Sequence, residues 1–81
     1  MKRISGPSEL DSKYWKLMRR IALNIKRIRK SQGRTQEDMF SLGFERRWFQ
    51  RIESGSYSVS MPTLDKVARA LKVDISEFFK N

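Results

Sequence analysis

Eighty-one residues allow one domain that buries about 60% of its unfolded surface, too little to enclose a large catalytic cavity. With 18 Lys and Arg against 9 Asp and Glu the chain carries +9, which makes nucleic acid, an acidic membrane surface or an acidic protein the partner classes to weigh. The absence of Cys and His removes disulfides, thiolate and imidazole metal sites and most nucleophile–base pairs, so neither an enzyme nor a cofactor is expected.

The charge is concentrated at one end: residues 1–34 hold 11 basic residues against 2 acids, residues 35–55 hold 3 against 4, and residues 56–81 hold 4 against 3. No apolar run is long enough for a signal peptide or a membrane span, and with no Cys present the chain is expected to be soluble and cytoplasmic. Residues 1–7, basic and ending in Gly6-Pro7, are expected to form a mobile tail before a single domain over residues 8–81.

Leu10, Tyr14, Leu17, Ile21, Ile25 and Ile28 recur at steps of four, three, four, four and three, the apolar stripe of one long helix that Gly33 ends. Ser8 with Asp11, or Ser12, can start it. Trp15, Met18 and Ala22 form a second, narrower strip, to be covered by another helix or by a second subunit. Thr35 caps a short second helix, where Asp38 can return a bond to the cap amide and Met39 and Leu42 point inward.

Gly43 and Gly55 bracket a third helix of about three turns, the width of a DNA major groove. Phe44, Trp48 or Phe49, and Ile52 share its inner face, leaving Glu45, Arg46, Arg47, Gln50 and Arg51 outside. The ordinary reading of those arginines is a solvated surface; the functional reading is contact with nucleic acid. Pro62-Thr63 opens a fourth helix with Leu64, Val67, Ala68 and Leu71 on one face. The last element, residues 73–79, reads as a fifth helix with an Asp74–Glu77 capping box and a Val73–Phe78 staple. Its rings, Phe78 and Phe79, exceed what so short an element buries alone and are expected to form a dimer interface.

Asn24-Ile25-Lys26-Arg27-Ile28-Arg29-Lys30, Gly33, Thr35-Gln36-Glu37-Asp38-Met39, Arg51-Ile52-Glu53-Ser54-Gly55, and Pro62-Thr63-Leu64 with Ala68-Arg69-Ala70-Leu71 together resemble the phage-repressor (Xre/Cro-type) helix-turn-helix family over residues 17–79. The resemblance implies an all-α, compact five-helix lambda-repressor-like domain, here with an extended first helix. It implies that Arg46, Arg47, Gln50 and Arg51 read bases, and that Gln36, Ser54, Ser56 and Tyr57 touch the sugar-phosphate backbone. It also implies an Arg29–Glu53 ion pair. The chain departs from the family pattern in being one residue shorter between Thr35 and Gly43, and in Phe40, where a small residue is usual. Phe40 is expected to fill the space by repacking with Phe44, Trp48 and Phe49. Arg34 stands where an apolar staple residue is usual and is expected to reach a phosphate instead.

The function these features imply is sequence-specific double-stranded DNA binding by a transcriptional regulator, acting as a homodimer on a two-fold symmetric operator. The alternative is a DNA-binding antitoxin or accessory subunit that takes a partner protein through its N-terminal helix. Attachment to an acidic membrane or RNA needs only the basic N-terminal third and carries no sequence preference.

Overall fold

Alternation of apolar and charged positions at helical spacing produces one long helix in the N-terminal third. The computed structural model describes residues 9–81, with side chains from Ser12 onward, and α1 spans Glu9–Ser31. The tail expected at residues 1–7 and the Ser8 cap lie outside the described residues, as do the side chains of Leu10 and Asp11. Ile21, Ile25 and Ile28 are buried on the core side of α1, joined by Met18 and Ala22. Tyr14 was expected on this inner stripe but is 38% exposed, its hydroxyl hydrogen-bonded to Ser58. Burial along α1 stops at Met18 and the half-buried Leu17, so Tyr14 and Trp15 lie past the end of the packed body.

α2 is short, Gln36–Ser41. Its start is the Thr35–Asp38 capping box: the Asp38 N–H donates to Thr35 Oγ1 at 3.1 Å and the Thr35 N–H to Asp38 Oδ2 at 2.7 Å. Met39 is fully buried, but Leu42 is 46% exposed rather than inward, because it sits at the C-cap and the chain turns there through Gly43 at φ +106°. Phe44 enters the core after that turn, 2% exposed.

α3 runs Arg46–Ser54, shorter than the residue 43–55 span expected, because Phe44 precedes it and Glu45 caps it by accepting the Trp48 N–H at 3.0 Å. Phe49 and Ile52 are buried beneath it, each contributing about 1.5–3 kcal/mol by removal from water. Gly55 ends the helix at φ +78°, and a Cβ there would lie 3.0 Å from Arg19 Cγ and 3.2 Å from Arg19 Cα. Glycine is therefore required twice over, for the left-handed backbone and for the close approach of α3 to α1.

α4, Met61–Leu71, is capped by Ser60 and buries Leu64, Val67, Ala68 and Leu71. Lys72 closes it in the left-handed region at φ 60°. The expected fifth helix is a 3₁₀ turn, Ile75–Phe79, and the described residues thus comprise four α-helices and this turn with no strand. The Asp74–Glu77 capping box is not formed. The Asp74 carboxylate accepts from the Ser76 N–H at 3.0 Å and from its hydroxyl, while the Glu77 carboxylate pairs with Lys80 at 2.8 Å. A segment of five residues closes into the tighter i→i+3 pattern, with the Glu77 N–H donating to the Asp74 carbonyl at 3.0 Å.

Asn24 fixes this turn. Buried in α1, its side-chain amide donates to the carbonyls of Phe78 at 2.9 Å and Lys80 at 2.7 Å. Phe78 is thereby held wholly inside the core of its own chain and has no surface to give to a second subunit. Phe79 stays half-buried at the core's edge. No helix among the described residues is long and apolar enough to cross a membrane.

Candidate nucleic-acid interface

One buried ion pair ties the end of α1 to the end of α3. Arg29, at the end of α1, donates from Nε to Glu53 Oε2 at 2.7 Å and from Nη2 to Glu53 Oε1 at 3.1 Å, the two side chains being 6% and 3% exposed. The bidentate geometry matches the guanidinium fork to the carboxylate. The third Arg29 nitrogen, Nη1, donates to the Arg34 carbonyl at 2.8 Å, and Gln36 Nε2 adds a bond to Glu53 Oε1 at 2.9 Å. The ends of α1 and α3, the connection before α2 and the first residue of α2 therefore meet around one guanidinium–carboxylate pair. No buried side-chain nitrogen or oxygen among the described residues lacks a hydrogen-bond partner, which is the condition under which a buried pair does not destabilise its surroundings.

Gln36 is thus oriented rather than free. Its amide nitrogen carries two N–H donors, one occupied by Glu53 and the other available. Arg34, half-buried beside it, donates from Nε to Gln32 Oε1 at 2.9 Å, and Gln32 in turn donates to the Leu71 carbonyl at 2.7 Å. That relay ties the segment before α2 to the end of α4. Nothing in the local sequence signals Gln32 or Asn24, because a single amide near a helix end does not reveal which carbonyl faces it.

Arg47, Gln50 and Arg51, all exposed, lie across α3 from the buried Phe49 and Ile52, and Arg46 is exposed at the edge of that outward face. The two ends differ. At the first turn the Arg46 guanidinium lies 4.7 Å from the centre of the Phe40 ring, which is half-buried against the core. Phe40 therefore bridges α2 and α3, and Phe44 and Phe49 meet beneath with their ring centres 5.5 Å apart. At the last turn Arg51 reaches toward the Tyr57 ring at 6.0 Å. Ser54 Oγ donates to the Arg51 carbonyl at 2.7 Å and accepts the Ser56 N–H at 3.2 Å, bringing Arg51, Ser54, Ser56 and Tyr57 together on an exposed shoulder.

Lys66 is a further contributor that the sequence pattern does not single out. From α4 its ammonium sits 5.1 Å from the centre of the Phe44 ring and 5.8 Å from that of Trp48, a cation–π clamp across the start of α3. Comparison with family models, with curated proteins and with solved structures gives no match.

Proposed function

We propose that this chain is a sequence-specific double-stranded DNA-binding transcriptional regulator of the phage-repressor type, with α2 and α3 as its helix-turn-helix and a homodimer as its working form. The observation that carries the reading is the two-sidedness of α3: Phe49 and Ile52 are buried on one side, while Arg47, Gln50 and Arg51 stand exposed on the other with Arg46 exposed at its edge. Arginine and glutamine side chains match guanine and adenine edges in the major groove, and a helix enters that groove.

Arg46, Arg47, Gln50 and Arg51 are assigned to base edges. Gln36, Arg34, Ser54, Ser56 and Tyr57 are assigned to the backbone at the two ends of the unit. Glu45 is consumed as the α3 cap and takes no part in reading bases. Of the two rings expected at the dimer seam, only Phe79 remains available. The second reading, an antitoxin or accessory subunit, draws on Tyr14 and Trp15, which stand 38% and 36% exposed on α1.

Selection from a pool of randomised duplexes tests the proposal. A two-fold symmetric motif is expected, with half-site centres about 10–10.5 base pairs apart or a multiple of that. A protein that binds duplex DNA yet enriches no motif would overturn it.

A further inference from the structure

Opposite its buried stripe, α1 carries a second regular one. Lys13, Lys16, Arg20, Leu23, Arg27 and Lys30 recur at steps of three, four, three, four and three, and all six are exposed. At 1.5 Å per residue the row is about 25 Å long. From Ser12 to Ser31 the helix has eight Lys or Arg and no Asp or Glu. Among the described residues only Arg29 of these eight is ion-paired.

Two surface cations outside α1 stand beside acids on their own turn, Arg69 with Asp65 and Lys80 with Glu77, both at 2.8 Å. On α1 the neighbours at i+3 and i+4 are instead alike: Lys13 with Lys16, Lys16 with Arg20, and Arg27 with Lys30. Each such pairing disfavours the helix until an anion relieves it. A surface kept only for solubility is better served by mixed signs. The row also borders a hollow of about 410 Å³ between α1 and the chain end, bounded by Lys16, Arg20, Leu23 and Lys80.

We propose that this outer face of α1 binds the phosphate backbone of duplex DNA without regard to sequence, as a contact surface separate from α3. It goes beyond the reading of α3 and stands whether or not that helix selects bases. Charge complementarity names the occupant, since a duplex presents about one phosphate per 1.7 Å of axis, or roughly 15 along a row of this length. A membrane is disfavoured because an interfacial helix inserts its apolar face, and that of α1 from Met18 to Ile28 is buried in the core; Leu23 is the one apolar residue on the row. Single-stranded nucleic acid needs aromatic platforms for its bases, and the row contains none. α3 packs on α1 through Gly55 against Arg19 and through the Arg29–Glu53 pair. The cationic row and the exposed side of α3 are thus the outward faces of two different helices.

The test compares two double variants that remove equal charge: Lys16→Gln/Arg20→Gln on the row, and Arg69→Gln/Lys72→Gln off it. Binding of the full chain to a fluorescent 30-base-pair duplex of arbitrary sequence is followed by anisotropy over a range of KCl, with helix content checked by circular dichroism. The row variant is expected to reduce the slope of log K against log salt by about 2, near 0.9 per lost phosphate contact, while the off-row variant leaves it close to the parent. Equal effects from the two doubles would show bulk charge alone and overturn the proposal. So would a parent that binds phosphatidylserine vesicles and not the duplex. A third variant, Arg46→Ala/Arg47→Ala/Arg51→Ala, separates the two surfaces. It should lose sequence preference but keep salt-dependent binding to the arbitrary duplex, and loss of all duplex binding in that variant contradicts a separate site on α1.

Discussion

Glu53 accepts hydrogen bonds from Arg29 and Gln36 at once, and its side chain is only 3% exposed. Its carboxylate is therefore a structural charge whose removal strands a buried guanidinium. Glu53→Gln is expected to lower unfolding stability by about 3–5 kcal/mol in urea titration, and a loss below about 1 kcal/mol would contradict this role, since that is the range of exposed pairs. The Thr35–Asp38 box and the burial of Met39, Ile52 and Leu64 were legible from spacing alone, because each is a local pattern on one helix. The Arg29–Glu53 pair is different, joining residues 24 positions apart, and it entered through the family resemblance rather than through any periodicity. Asn24, Gln32 and Lys66 were not legible at all; each acts on a group that only the folded chain places opposite it.

At the level of elements, helix endings are only partly legible in the sequence. Gly33, Gly43 and Gly55 announce turns, but α4 ends on Lys72, a residue that pays a steric penalty at φ 60°. Lys72→Gly should raise stability by about 0.5–1 kcal/mol, read as a higher Tm, and a lower Tm would show that the lysine side chain supports the turn in some other way. The C-terminal segment reads as an α-helix by its cap residues, yet five residues pinned to α1 by Asn24 close as a 3₁₀ turn.

Within that turn the Asp74 carboxyl is held below its ordinary value, first by the Ser76 hydroxyl and then by the Ser76 N–H, with slight desolvation opposing and Lys80 adding a little. A depressed carboxylate contributes stability that is present above its unfolded pKa and is lost as pH falls through the lower folded value. The cap consequently survives further into acid than an ordinary aspartate would. Ser76→Ala should move the Asp74 titration back upward when followed by NMR, and an unmoved midpoint would assign the shift to something other than that hydroxyl.

For the molecule as a whole, the proposed selection of one site among about 10⁶ or more competitors would need two copies, since a helix of nine residues would read only a few base pairs. Phe79, half-buried at the core's edge, is the ring left to join them, whereas Phe78 is sealed inside by Asn24. Phe79→Glu is expected to give a folded monomer in sedimentation, and a variant that remains dimeric moves the seam elsewhere. The all-helical architecture was legible because apolar periodicity and caps agree along most of the chain. Which rings would stay at the surface was not, since that depends on how α1 covers the C-terminal turn.

The central claim is that the exposed side of α3 reads bases while the start of α2 grips the backbone. Parallel selections from one randomised duplex pool, with the parent, Arg46→Ala, Arg47→Ala and Gln36→Ala, test it most directly. Each arginine variant should lose about 1–3 kcal/mol on the parent's site and relax preference at one or two positions, with Gln36→Ala weakening every sequence about equally and leaving the motif intact. Arginine variants that enrich the parent's motif unchanged would contradict the account.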